Sequence, residues 1–511
     1  MNLAGAFADS VQKHAEKTAL FWGDRVYSYG ELWSHSLFVA CILQRQLGLK
    51  PGDRVGLWLK NCPEFIPALF GILQAGAVVV PINNFLKPDE VSFILKDAGI
   101  DMILTDSELS ASFQVLRAAR PALKLLNVET VLASYPIPPG GLKFETEILK
   151  NPDRHESDLA VLVYTSGTTG RPKGAMLSHG NLLHNVESCR LVLQTVEHDR
   201  FAVLLPMFHS YMLTVGLLLP LFVGGSIVLV KSLHPVRNVI QEVFARGATV
   251  MPAIPQFYRS MVNADIPTPL PLRICISGSA PLPVQVLKDF EKKFGIPLIE
   301  GYGLSEASPV VAKNPLDRTR KPGSVGLPIP NVEMSVQDDA GRLFGPGEIG
   351  EICVRGGNVM LGYWNHPEET AKAFRGRWLL TGDIGYRDEQ GYYFITDRKK
   401  DMLLVNGNNV YPREIEEIIH QFPNVKESAV IGQPDSRRGE QPIAFVVPAE
   451  GSTVDAEALL KFVRGKLADY KVPRRVVFTD ALPRNATGKI LKTTLRQQTP
   501  PEQDPGSQGR V

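Results

Sequence analysis

Cysteine is scarce in this chain: five in 511 residues, at Cys41, Cys62, Cys189, Cys275 and Cys353. They are widely spaced and form no CxxC pair, which excludes a zinc-ribbon pattern and a disulfide scaffold and makes a reducing cytoplasm the expected compartment. Charge of one sign is also missing. Lys plus Arg number 55 against 53 Asp plus Glu, a net +2, so no global field gathers nucleic acid or anionic lipid, and any bound polyanion must be held locally. The start, MNLAGAFADSVQKHAEK, has no basic leader ahead of Asp9, so no secretory signal is expected. The spacing G-x-x-x-x-G-K-[ST] does not occur, nor does a G-x-S-x-G elbow, which argues against P-loop hydrolysis and a serine hydrolase. One long uncharged run exists, Phe201 to Val230, long enough to span a bilayer. Pro206, Pro220 and the Gly224-Gly225 pair cut it into a short strand, a loop with His209, a helix and a second β-branched strand, the pattern of a buried α/β core.

What is present is a chain that is 44% hydrophobic and 21% charged, long enough for two to four compact units. Ser28-Tyr29-Gly30-Glu31 is a capping box that opens a helix closing near Gly48. The turn Lys50 to Asp53 leads into RVGLWL; Asn61 is then expected to cap a helix ending at Gly76, and AVVVPI follows as a strand buried on both faces. This βαβ rhythm returns through Thr214 to Val230, so two doubly wound α/β layers with mainly parallel sheets are expected. Over about 321–393 short strands broken by glycine turns predict a small β-barrel or sandwich. Beyond the charge cluster Asp397 to Asp401, helices and strands alternate over about 100 residues, the size of one α+β domain. The expected division is 1–398, 399–498 and a disordered tail, 499–511.

The densest local signal is YTSGTTGRPKG, Tyr164 to Gly174, directly after an apolar strand. Its glycines let the backbone approach an anion, its Ser and Thr residues supply hydroxyl donors and Lys173 adds a cation, a composition suited to a triphosphate. A bland Gly/Thr surface turn is the alternative, disfavoured by the density of donors after a buried strand.

With this loop in hand, the chain resembles the adenylate-forming superfamily of acyl-CoA synthetases, carrier-protein adenylation domains and beetle luciferases. The resemblance extends over LPMFH (Leu205 to His209), SGSAPL (Ser277 to Leu282), EGYGLSE (Glu300 to Glu306), TGD (Thr381 to Asp383), DRKKDMLLVNGNNVYPREIE (Asp397 to Glu416) and PRNATGK (Pro483 to Lys489). It implies a large N-terminal domain of two α/β subdomains plus the small barrel, and a smaller C-terminal domain on a hinge. It also implies a two-step ligase using ATP, Mg2+ and CoA: a carboxylate attacks the α-phosphate to give an acyl-adenylate and pyrophosphate, then a thiol displaces AMP. Two anions repel as they approach, so fixed cations and a divalent metal are wanted.

By resemblance, Thr165, Ser166, Gly167, Thr168, Thr169 and Lys173 hold the ATP phosphates, with Thr165, His209, Glu306 and Lys489 as the catalytic set. Lys489 reaches the substrate carboxylate and α-phosphate when the C-terminal domain closes; alone it would read as a surface lysine. Glu306 is the hard oxygen ligand suited to magnesium. Gly278, Ser279, Ala280, Glu300, Gly301, Tyr302, Gly303, Ser305 and Ile395 border the adenine and ribose, while Asp383 accepts from the ribose diol and Arg398 adds a donor. The family more often has Thr at 305 and a second glycine at 279. Lys400 is the pivot, where aspartate is more usual, and Gly407 with His209 lines the thiol tunnel; a satisfied core histidine is the alternative for His209.

For the acid, the uncharged stretches Tyr211 to Val215 and Met251 to Tyr258 suit a hydrocarbon, each buried methylene being worth about 0.8 kcal/mol. The run EGYGLSEASPVVAKNP resembles medium- and long-chain fatty acyl-CoA synthetases of bacteria. Aryl acids stay open, as does a fatty acyl-AMP ligase that loads a carrier protein, although the interval between Glu306 and Asp383 leaves little room for the insertion that marks that subfamily. A non-catalytic acyl-nucleotide binding protein would be expected to lack Lys489 or Glu306. A luciferase-like oxygenase shares the motifs, and the ending Gly509-Arg510-Val511 is not a peroxisomal signal. The expected partners are small molecules, fatty acid and CoA, with no nucleic acid; peripheral contact with the inner membrane surface is compatible with a lipid substrate.

Overall fold

A computed structural model describes residues 1–134, 154–165, 172–233, 235–435, 438–484 and 489–498. The chain divides into two compact units, Met1–Met334 with Cys353–Leu380, and Ser335–Ile352 with the chain from Thr381 onward.

The first unit is built on two largely parallel sheets. In the nine-stranded sheet, Leu298–Gly303, Ile274–Ser277, Val250–Ala253, Arg200–Val203, Ser226–Leu229 and Thr18–Trp22 run parallel as neighbours in that order, with antiparallel strands added at both edges. The six-stranded sheet orders Lys124–Asn127, Met102–Thr105, Arg54–Trp58, Val78–Pro81 and Leu159–Thr165 in parallel, and Lys173–Ser178 closes it antiparallel. Val78–Pro81 is buried at every position, as a strand covered on both faces should be.

The capping box at Ser28 is present: its hydroxyl accepts from Glu31 N, and Glu31 reaches back to the Ser28 amide, opening the helix Tyr29–Cys41. The run from Phe201 to Val230 is the expected strand, loop, helix and strand, buried throughout most of its length. Among the described residues no helix is long and apolar enough to cross a membrane.

One local expectation fails. The helix after Arg54–Trp58 begins at Phe65, its N-cap is Glu64, and no side chain caps it. Asn61 lies too far upstream, because residues 62–64 make their own turn, closed by Phe65 N donating to Cys62 O at 3.2 Å.

Cores lie under each sheet. Tyr258, Phe290, Met251, Leu298 and their aliphatic neighbours pack on the nine-stranded sheet, and Trp58, Val80, Ile94 and Ile103 on the six-stranded one. Each such fully buried aliphatic side chain contributes roughly 1.5 to 3 kcal/mol of transfer free energy.

A five-stranded sheet holds Val332–Gln337, Gly350–Gly356, Phe374–Arg375, Trp378–Arg387 and Tyr393–Arg398, where short strands and glycine turns were expected. In the second unit, Val425–Asp435 and Gly439–Pro448 pair antiparallel, Arg475–Phe478 adds parallel to the latter, and the hairpin Leu403–Val405 and Asn408–Val410 extends the sheet. Helices Pro412–Ile419 and Ala456–Arg464 bury Ile415, Ile419, Leu459 and Val463 against it, the α+β arrangement anticipated for this stretch. Residues 499–511, expected to form a disordered tail, lie outside the described residues.

Candidate active site

Parallel strands deliver their following loops to one edge, and ligands of such folds bind in the crevice outside the carboxyl ends. In the first unit those ends carry most of the motif residues. Thr165 closes Leu159–Thr165 and pairs with Lys173 across an antiparallel register, so the two described ends of the phosphate loop are held side by side. Ser166, Gly167, Thr168 and Thr169 lie outside the described residues.

Lys173 is buried, at 8% exposure. Its ammonium is ion-paired with Glu369 and stands 5.5 Å from the centre of the Tyr363 ring. Lys173 first and then Lys372, at 2.9 Å, hold the Glu369 carboxyl down to about 2. The Tyr363 hydroxyl in turn donates to Glu306 Oε1 at 2.9 Å. One continuous set of contacts therefore joins the phosphate-loop lysine to the expected metal-binding carboxylate. Neither Tyr363 nor Glu369 stood out in the sequence, because GYW and PEE have ordinary surface-turn compositions and their partners are 57 and 196 residues away.

Glu306 sits on the short turn Ser305–Ala307 that follows Leu298–Gly303. Gly303 must be glycine here: a Cβ would collide with the Pro309 carbonyl. Ser305 shares a 2.9 Å hydroxyl contact with Ser210, so serine keeps the polar function expected of threonine at this position. Glu300 is buried, and its Oε1 accepts from Leu282 N at 3.0 Å, tying EGYG to the end of SGSAPL. Gly301 and Tyr302 are half-buried on the antiparallel register with Lys313 and Ala312.

Gly278, Ser279 and Ala280 follow the strand Ile274–Ser277. The Tyr211 ring crosses directly beside Gly278, leaving only 3.0 Å for a Cβ, and its hydroxyl donates to Ile276 O at 3.1 Å. Ser279 holds φ +67, the left-handed region that a glycine occupies without steric cost. His209 is half-buried, and loss of hydration lowers its imidazole to about 4. Its Nδ1 accepts from Tyr211 N at 3.3 Å.

In the second unit, Asp383 and Arg398 face each other across antiparallel strands and form a 2.7 Å ion pair. Asp383 is buried and its amide donates to Thr381 Oγ1 at 3.0 Å. Loss of hydration first, then the Arg398 guanidinium, lowers the Lys489 ammonium to about 8, with Asp383 opposing. Ile395 lies on the same strand as Arg398, its carbonyl accepting from Arg413 at 2.8 Å. Lys400 is exposed in the turn after that strand, whereas Lys399 is pinned by Asp339 at 2.5 Å and Glu351 at 3.1 Å. Gly407 stands with Asn406 at the tip of the hairpin, at φ +76 and +52, the positive pair that a two-residue turn requires. Residues 485–488 lie outside the described residues.

Comparison with known proteins agrees with this arrangement. Residues 7–364 match the family of AMP-binding enzymes. The chain belongs to the AMP-binding enzyme family. Residues 414–489 match the C-terminal domain of AMP-binding enzymes, a stretch that ends on Lys489. A long-chain-fatty-acid--CoA ligase of Bacillus subtilis is 36% identical over 97% of this chain and 94% of its own length. A feruloyl-CoA synthase of an Amycolatopsis species is 37% identical, covering 94% and 96%. Among solved structures, ATP-bound MatB from Rhodopseudomonas palustris superposes with a TM-score of 0.89 at 34% identity, covering 98% of this chain and 99% of that one. As an AMP-binding enzyme, the chain thus has relatives acting on quite different acids.

Proposed function

We propose that the chain is an ATP-dependent fatty acid:CoA ligase acting on medium- to long-chain acids. In the first half-reaction a carboxylate oxygen bonds to the α-phosphorus of ATP and pyrophosphate leaves with the broken P–O pair. In the second, the CoA sulfur, having lost its proton, bonds to the acyl carbon and AMP departs.

The observation that supports this reading most strongly is the contact set Lys173, Tyr363 and Glu306 at the strand ends, which prepares one cation and one oriented carboxylate in a shielded place. Partial burial strengthens both interactions with a phosphate. Among the described residues no group of three or more His, Cys, Asp or Glu could cage a metal. A single carboxylate fits magnesium, which keeps waters and shares substrate phosphates with one or two protein oxygens. Glu306 would hold it, and the ion would neutralise charge developing on the phosphate oxygens. Tyr363 fixes the Glu306 carboxylate in orientation; Glu369 holds Lys173 in an ion pair until a phosphate replaces it.

We assign Asp383 and Arg398 to the ribose and Lys489 to the carboxylate and α-phosphate. We also propose that the region beyond Lys400 turns between half-reactions, since Lys489 must leave before a thiol can approach. The hydrocarbon reading draws on Tyr211, Met212, Leu213, Thr214 and Val215 and on Met251, Pro252 and Ala253, all buried and none charged.

An aryl acid is the second reading, favoured by the feruloyl-CoA synthase relative and by the Tyr211 ring lying across Gly278. The test supplies ATP, Mg2+, CoA and a panel of C8 to C18 and hydroxycinnamic acids, and follows AMP, pyrophosphate and acyl-CoA by mass spectrometry. Thioesters of the fatty acids support the proposal. Adenylate without thioester points to a carrier-protein acceptor, and thioester only from aryl acids replaces the substrate class.

A further inference from the structure

Asn61, displaced from its expected role as a helix cap, has another one. It is half-buried just beyond the carboxyl end of Arg54–Trp58, the central region of the six-stranded sheet. Its Nδ2 donates to Leu205 O and its Oδ1 accepts from Met207 N, both at 2.8 Å. These partners lie 144 and 146 residues away, on the loop leaving Arg200–Val203 of the nine-stranded sheet. A primary amide is the side chain that offers one donor and one acceptor from a single planar end, so it pairs with this peptide edge as a neighbouring strand would. Pro206 between the two partners has no N–H of its own to compete.

The loop is fixed again further on. Ser210 meets the Ser305 hydroxyl at 2.9 Å, and Thr214 donates to Ser308 O at 2.8 Å, on either side of Glu306. Phe208 and His209 lie between the two anchorages, with His209 N donating back to Pro206 O at 3.1 Å. On the outer side, exposed Phe85 meets Phe208 edge-on, at 6.4 Å between ring centres.

We infer that Asn61 is a positioning residue that clamps the loop 205–207 and thereby sets Phe208 and His209 at the acceptor side of the site. This rests on the reading of His209 as a residue of the thiol route. The segment is anchored near Glu306 by other groups, so losing Asn61 should release the loop start and leave the phosphate contacts in place.

The experiment compares Asn61→Ala and the near-isosteric Asn61→Asp, which keeps an acceptor for Met207 N but loses the donor to Leu205 O. Hydrogen exchange read at Met207 should accelerate about tenfold in Asn61→Ala, the loss of one to two net hydrogen bonds, with exchange in Arg200–Val203 unchanged. The KM for CoA should rise about tenfold in Asn61→Ala and less in Asn61→Asp, while acid-dependent pyrophosphate exchange stays within about threefold of the native chain. Unchanged exchange at Met207 in Asn61→Ala overturns the clamp. Equal loss in both half-reactions, together with lowered thermal stability, reduces Asn61 to a structural residue and overturns the positioning role. If the native chain forms no acyl-adenylate with any acid, the functional reading fails by itself, and the exchange at Met207 still decides for or against the clamp.

Discussion

Two lysines of this chain stand in opposite surroundings. Lys173 is buried, ion-paired with Glu369 and set against the Tyr363 ring, within a contact set that reaches Glu306. Lys489 has its ammonium lowered to about 8, by loss of hydration first and then by the Arg398 guanidinium, with Asp383 opposing. Loss of hydration and a cationic neighbour both disfavour an ammonium's charge. On the proposed function, the first arrangement suits a fixed group that meets the polyphosphate in every turnover. On the proposed function, the second suits a group whose cation is favoured further when an anionic substrate reaches it.

Removing the two groups should separate these roles. Lys489→Ala should lower acid-dependent pyrophosphate exchange by about 100- to 1000-fold, the cost of one transition-state charge contact, while thioester formation from supplied acyl-AMP stays within a few fold. Equal loss in both half-reactions would erase the distinction.

Glu306→Gln should cost about 100-fold in adenylation and raise the Mg2+ requirement, and Tyr363→Phe, which removes only the orienting hydroxyl, about tenfold. A titration of rate against Mg2+ concentration checks both; Tyr363→Phe without effect would detach the tyrosine from the site.

The pH profile sharpens the comparison further. Lys489 loses its proton above about pH 8, so kcat/KM for adenylation should fall as pH rises through that value in the free enzyme. The same lowering, from 10.5, means that the unfolded chain binds more protons between about pH 8 and 10.5, so this group makes folding more favourable as pH climbs through that window. A flat profile between pH 7 and 9.5 would contradict the lowered ammonium.

The smallest effect concerns the wall beside Tyr211. Ser279→Gly should relieve a left-handed serine at about 1 to 2 kcal/mol, against the added backbone entropy of glycine, for a net change below about 1 kcal/mol. Denaturant unfolding measures it.

The capping box at Ser28, the break-up of the uncharged run by Pro206 and Gly224-Gly225, and the Asn406-Gly407 turn were all legible, because each is a local rule acting over a few residues. The loop Tyr164 to Gly174 is legible from its dense glycine and hydroxyl composition, whereas the other motif residues are proposed through the family resemblance. The Asn61 cap is not realised, because the nearest helix start is only one claimant for an amide. A peptide edge more than 140 residues away satisfied both ends of the side chain, and no local pattern announces that.

By itself, then, the sequence determined the kinds of elements, their order and the chemical groups available for phosphate, metal and carboxylate. Those follow from backbone propensity, hydrophobic periodicity and side-chain chemistry, which act at short range. Only the tertiary structure decided that Glu369 neutralises Lys173, that Tyr363 orients Glu306, that Tyr211 lies across Gly278 and that Asn61 holds the His209 loop. Each is a pairing between residues far apart in sequence, and such pairings exist only once the fold has brought the segments together and removed competing water from between the partners.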